Sequence, residues 1–393
     1  MNQPDQAASS IASRFAEARA LFPHTDKVTY LNTASYGPIC LPIKNVIDEN
    51  MQLRMACEKD DTKLAYATAE ELRSDYAGLI GADSREVGVG LSTTFGINIA
   101  AFGLPLQPGD EILVSDIDFP VNVYCWRAAA ETRGLTVKFI PSHDRQFDMD
   151  EFIKAIGPKT KVLTVSFVQF FNGFKCDLTA LGKICRERGL YFVVDGIQGM
   201  GAEPIDVHAS HVDIFASGCQ KWMLSPQGSG FFFISDRVRS TLQQPFGSWL
   251  GVDWGVQFSD LFYYDKPWFE SARRFEMGYY ATWNLFGMKA AVKIFQSLGI
   301  DNIQRHNHAL LDRLITYLKS NSFYTVTSSL EEKHRSSIVT FSAPDVPKLH
   351  RKILDAKIVL VNREGSIRVS AHLFNNEEDI DRLIEVLDQY AKA

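Results

Sequence analysis

The chain has 393 residues, 46% of them apolar and 22% charged, with a formal net charge of -6. That length exceeds what one core ordinarily serves and predicts two domains, and the mild acidity excludes the basic surface that nucleic acid or an anionic membrane would need. Cys40, Cys57, Cys125, Cys176, Cys185 and Cys219 form no CxxC pair, the first residues carry no basic-then-apolar signal pattern, and no apolar run could span a bilayer, so the expectation is a reduced, cytoplasmic protein.

Ile11, Phe15, Ala16, Ala18 and Leu21 recur at helical spacing and predict a helix over 10–22. Val28, Tyr30 and Leu31 predict a brief strand, broken by Gly37, Pro38 and Pro42. Helices are expected at 43–58 and 63–80, the second ending at Gly81. Short apolar runs then predict strands at 87–91, 111–115, 137–141, 162–167, 191–195, 213–216 and 231–234, with helical patterns between them at 98–102, 122–133 and 178–188. Apolar strands alternating with helices imply an α/β fold whose seven-stranded, mostly parallel sheet is covered on both faces.

Residues 236–275 break this rhythm. Trp249, Trp254, Phe262, Tyr263, Tyr264 and Trp268 crowd an irregular stretch, of a length expected of a segment that covers a site or a partner subunit. Helix returns over 279–321. Strands are expected at 336–342, 357–361 and 366–370, and a last helix over 377–391 behind the capping run NNEED. The expected division is an arm (1–25) packing on the small domain, a large domain (26–260) and a small α+β domain (261–393).

Ligands of open α/β sheets bind at the carboxyl ends of the strands. Asp195 ends one predicted strand, and Lys221 lies just beyond the next. A lysine for a Schiff base and a carboxylate for a pyridinium nitrogen are what a pyridoxal phosphate site needs. Ser92–Gly96, Asp118–Asn122 and Phe170–Gly173 also follow strands, so five segments would converge on one edge. Taken singly, each residue has a plainer reading: Asp195 an N-cap, Lys221 a solvated lysine, Thr93 and Thr94 a helix start, Asn172 a turn, Ile197 and Phe119 core, Arg368 a surface ion pair. His208 and His211, flanked by Asp206 and Asp213, read as satisfied surface histidines rather than a metal site.

From YLNTASYGP near residue 30 to SIRVSAHLFNNEEDID near residue 380, and most specifically in VVDGIQG followed by SGCQKW, the chain resembles the class V aminotransferases. These have the aspartate aminotransferase fold (pyridoxal phosphate fold type I), and the group includes cysteine desulfurases, isopenicillin N epimerase and kynureninase. The resemblance implies that Lys221 forms the Schiff base with pyridoxal 5'-phosphate and then moves the substrate α-proton. It implies that Asp195 pairs with the ring nitrogen, Gln198 with the ring 3-hydroxyl, and that Ile197 and Phe119 cover the two ring faces. Thr93, Thr94 and Phe95 would form the phosphate turn, aided by Gln220, with Ser217 compensating for Gly218. Asn172 would lie near the 3-hydroxyl and the substrate. Arg368 would clamp the α-carboxylate, with Arg363 in the same region.

A homodimer is implied as well, with residues 278–282, including Tyr279 and Thr282, near the neighbour's phosphate. The expected activity is Schiff-base and quinonoid chemistry on a small amino acid. Transamination comes first, with epimerisation, racemisation or C–S lysis as alternatives, and an inactive cofactor- or partner-binding homologue as the reading from another class. Persulfide-forming desulfuration is disfavoured because no cysteine follows Cys219.

Overall fold

The computed structural model describes residues 3–58, 61–255 and 261–392. The expected domain boundary at 260 lies outside the described residues, as does the 256–260 part of the aromatic stretch. Strands Val87–Gly90, Glu111–Ser115, Thr136–Ile140, Thr160–Ser166, Tyr191–Asp195, Ile214–Gly218 and Gly230–Ile234 form one sheet. In that numbering their spatial order is first, seventh, sixth, fifth, fourth, second, third. Each lies within two residues of its expected bounds, because central strands buried on both faces read as uninterrupted apolar runs.

Six strands are parallel, and Gly230–Ile234 is antiparallel to both of its neighbours. The cause lies in residues 219–229, which join the sixth strand to the seventh without a helix. A parallel return needs a crossover of a dozen or more residues, so this connection turns straight back. Lys221 sits on it. Helices Thr93–Gly103, Pro120–Arg133 and Leu178–Arg188 link other strands. Met149–Ala155 is also helical, although no element was expected there; with Phe152 its one buried residue, it has no apolar period to read.

A second sheet is antiparallel, in the order Val361–Arg363, Ser366–Val369, Val339–Ser342, Thr325–Val326. Its alternation is sharp. Val339, Phe341, Ile367 and Val369 enter a core with Leu314, Leu349 and Leu383, whereas Thr340, Ser366, Arg368 and Arg363 share the opposite face by register. The expected helical stretch 279–321 is two helices, Thr282–Leu298 and Ile300–Ser320, broken at Gly299, whose φ of +80° favours glycine. Helix Glu377–Ala391 starts with a capping box from Asn376.

The N-terminal segment ties the chain's ends together. Thr29–Tyr30 pairs in parallel with Ile358–Val359, and Asn32 bridges to Ser370. Glu203 makes a further tie. Wholly buried, it accepts hydrogen bonds from Gln304 Nε2 (2.6 Å), Ser337 N (2.9 Å), Ser337 Oγ (3.0 Å) and Lys175 Nζ (3.2 Å). Among the described residues, no helix is long and apolar enough to cross a membrane.

Candidate active site

Asp195 and Lys221 meet at the carboxyl edge of the large sheet because their strands are adjacent. Asp195 is buried. Its Oδ1 accepts a hydrogen bond from Ile197 N at 2.9 Å, while Oδ2 is enclosed with no partner. Burial raises its pKa, the Ile197 N–H opposes that, nearby Asp118 adds to it, and Lys221 counters it. Asp118 is itself pushed up to about 6 by burial, against hydrogen bonds from Ser166 and Phe119 N. Burial lowers the pKa of Lys221; the Asp195 carboxylate opposes this, and Arg368 and Arg363 reinforce it.

The lysine turn is pinned from several sides. Gly37 N donates to Gln220 O (2.8 Å) and Leu224 N to Lys221 O (3.1 Å). Trp222 Nε1 donates to Gln198 Oε1 (2.9 Å), and His372 Nε2 donates to Trp222 O (2.7 Å). Gly37 is required by close approach, since a Cβ there would lie 2.3 Å from Lys221 O. Lys221 Nζ stands 5.5 Å from the centroid of the half-buried Phe119 ring.

Helix Thr93–Gly103 points its N-terminus at the same edge. Ser92 Oγ caps it by accepting from Phe95 N (3.2 Å), and Thr93 Oγ1 accepts from Gly218 N (2.8 Å), so the threonine fastens the turn to the sixth strand. Thr94 is exposed and Phe95 half-buried. Gly96 lets the helix approach closely, as its Cβ would sit 2.5 Å from that of Ala216. Gly218 separates Ile197 from Gln220, and a Cβ there would lie 2.5 Å from Gln220 Oε1 and 3.2 Å from Ile197 Cδ1. Ser217 is buried and donates to Gly218 O at 3.1 Å.

Two amides from the sequence reading are engaged within the chain. Asn172 Nδ2 donates to Arg145 O (2.6 Å), and its Oδ1 accepts from Phe174 N (3.1 Å). Gln198 joins Ala34 O (3.0 Å) to the Trp222 indole. Gln169 was missed. It is wholly buried just beyond the fourth strand, with both side-chain polar atoms unpartnered. The available signal was an amide inside the otherwise apolar run Phe167–Phe171.

Arg368 is buried; its Nη1 donates to Phe170 O (2.5 Å) and its Nη2 to Ser35 Oγ (2.7 Å). Its Nε is left without a partner, and burial lowers its pKa to about 9. Thr282 begins its helix and bonds Tyr280 O (3.3 Å), while Tyr279, Tyr280 and Ala281 border Leu91, Phe95 and Gly228. His208 pairs with Glu86 (2.9 Å). An enclosed carboxylate oxygen beside a recessed lysine can hold a protonated ring nitrogen while the amine attacks a carbonyl carbon.

The model of the family described as Aminotransferase class-V matches residues 55–383. An uncharacterized aminotransferase of Bacillus subtilis, YcbU, is 24% identical, the match covering 93% of this chain and 95% of that protein. A probable cysteine desulfurase of Pyrococcus abyssi is also 24% identical, over 96% and 98% of the two chains. A solved structure of a C-DES lysine-to-alanine mutant, with glycine covalently linked to its PLP cofactor, superposes with a TM-score of 0.86 at 22% identity, covering 94% and 98%.

Proposed function

Because the chain belongs to the class-V aminotransferase family, we propose that it is a pyridoxal 5'-phosphate enzyme that removes the amino group of a small amino acid by transamination. The observation that carries this reading is the enclosed, unpartnered Oδ2 of Asp195 beside Lys221. A buried acceptor without a donor is costly, and a protonated pyridine nitrogen would satisfy it. When bound, the cofactor supplies the electron sink that loosens bonds at the substrate α-carbon.

The same proposal assigns the other roles. Lys221 holds the cofactor and then, as a free amine, carries the proton taken from the α-carbon. Ile197 and Phe119 pack on the ring, and the second proton of Gln198 Nε2 and Asn172 serve the ring 3-hydroxyl. The N–H groups of Thr93 and Thr94 and the Thr93 hydroxyl proton receive the phosphate at the helix N-terminus, with Phe95, Ser217 and Gln220 around it. Arg368 takes the substrate α-carboxylate through its remaining N–H groups. A second copy of the chain completes the site. Tyr279 is 56% exposed next to Thr282, and residues 278–282 would approach the neighbour's phosphate.

Sulfur transfer to a thiol beside Lys221 finds no support in Cys219. Cys219 is enclosed with its thiol pushed up to about 12, and no cysteine follows it. The test is to load the purified protein with pyridoxal phosphate and add amino acids singly. Loss of the near-visible absorbance with formation of the matching 2-oxo acid is expected. Pyruvate accumulation with the band retained, or racemised amino acid, would replace transamination by lysis or racemisation. A preparation that stays colourless with the cofactor would remove the enzyme reading altogether.

A further inference from the structure

Arg363 is a second arginine on the sheet that carries Arg368. It sits on strand Val361–Arg363, paired with Ser366, while Val361 pairs with Arg368. Residues two apart on a strand share a face, so Arg363 and Arg368 project from the same polar face as diagonal neighbours, about 7–8 Å apart at the backbone. Thr340, opposite Arg368 in the register, and Ser366 complete this face. Its hydroxyls are occupied by one another and by the site wall. Thr327 Oγ1 bonds Thr340 Oγ1 (2.8 Å) and Ser366 Oγ (3.2 Å), and Ser328 Oγ donates to Asn172 O (2.7 Å).

What remains open is cationic. Arg363 makes no side-chain hydrogen bond or ion pair with any described residue, and its Nε is enclosed without a partner. The neighbouring carboxylate offers no relief, since Glu364 faces Arg145 at 3.6 Å. Arg363 and Arg368 both press on Lys221 electrostatically, and Arg363 presses on Arg368. At neutral pH both guanidinium groups keep their protons, even with Arg368 depressed by burial. An uncompensated pair of such groups on one wall therefore calls for anions.

From this geometry, and resting on the transaminase reading above, we propose that the substrate is a dicarboxylic amino acid, with its α-carboxylate on Arg368 and its side-chain carboxylate on Arg363. From that diagonal, a chain of about four or five carbons would let one carboxylate reach each arginine. A neutral amino acid would leave Arg363 unpaired, and that penalty is the source of discrimination.

Binding of amine-free acids to the cofactor-loaded protein tests this without any turnover, so it reads independently of whether the protein transaminates. Calorimetry should show glutarate or succinate binding at least tenfold more tightly than butyrate. Arg363→Gln should abolish that preference, and Arg363→Lys should restore part of it, which separates lost charge from lost folding. Equal affinities in the native protein, or binding of neither acid, would overturn the proposal. So would an Arg363→Gln variant that weakens glutarate and butyrate by the same factor, since Arg363 would then share the carboxylate already held by Arg368.

Discussion

A lysine nitrogen attacks carbon only after it has lost its proton, and the setting of Lys221 favours that loss. Burial depresses its pKa below the ordinary lysine range, against the pull of Asp195. Between the folded and unfolded pKa values the unfolded chain binds more protons at this site, so Lys221 makes stability rise with pH through that window. The same shift gives a chemical prediction. Pyridoxal phosphate followed by borohydride should label Lys221 ahead of the surface lysines, with a pH midpoint below the usual lysine value. In Asp195→Asn the attractive carboxylate is gone, so the midpoint should fall further. In Arg368→Gln a repelling cation is gone, and it should rise. Peptide mapping of labelled apoprotein across pH checks both signs; a midpoint unmoved by either change would show that the three groups do not share a site. Lys221→Ala should lower turnover by about a thousandfold, the scale of lost general acid–base catalysis.

Among the elements, the most exacting contact lies between the Gly37 loop and the Lys221 turn. The atom that a Cβ at Gly37 would strike is a backbone oxygen, which cannot swing aside as a side-chain end would. Gly37→Ala should therefore cost about 1–3 kcal/mol, the scale of overpacking, and weaken cofactor binding in parallel. Thermal melts and cofactor titration would show both effects; an unchanged melt with unchanged affinity would mean that the loop does not position the lysine. This contact was not legible in the sequence, whereas the strands were. Tyr191–Asp195 announces itself because its apolar residues, Tyr191 to Val194, are contiguous in the chain. Gly37, Ser35 and Phe170 carry no mark of their meeting with Lys221 or Arg368, because those partners are distant in the chain, and for Gly37 and Phe170 the contact runs through backbone groups. Asp195 and Lys221 could be singled out as residue types at strand ends, whereas Gln169 showed only as an amide in an apolar run, with nothing local to tell an enclosed, unpartnered amide from a satisfied one.

Over the whole molecule, Glu203 joins parts that the sequence presents separately: Lys175 ahead of one helix, Gln304 and His308 on another, and Ser337 beside the small sheet. Burial pushes its carboxyl upward, but hydrogen bonds and the charges of Lys175 and His308 leave it below the usual glutamate value. A depressed carboxylate stabilises the fold above its unfolded pKa, and that contribution disappears as the pH falls through the folded value. Glu203→Ala strands Lys175 and should cost about 3–5 kcal/mol, with most of the native protein's acid sensitivity removed. Urea unfolding at neutral and acidic pH measures both. A variant as stable and as acid-sensitive as the native protein would place the joint elsewhere.

The direct return of the chain after Ile214–Gly218 also bears on the order of assembly. A connection that closes between adjacent antiparallel strands has little loop-closure entropy to overcome and belongs to the contacts that form early. Arg368, by contrast, reaches Ser35 across 333 residues and Phe170 O across 198. The two strands that flank the lysine's turn should pair while their surroundings are still assembling, so a folding chain carries the amine on a closed hairpin before the arginine that would orient a substrate has arrived. Cofactor added during refolding would then be captured ahead of any ability to discriminate among amino acids. Pulse labelling with borohydride along the refolding time course would register that lag.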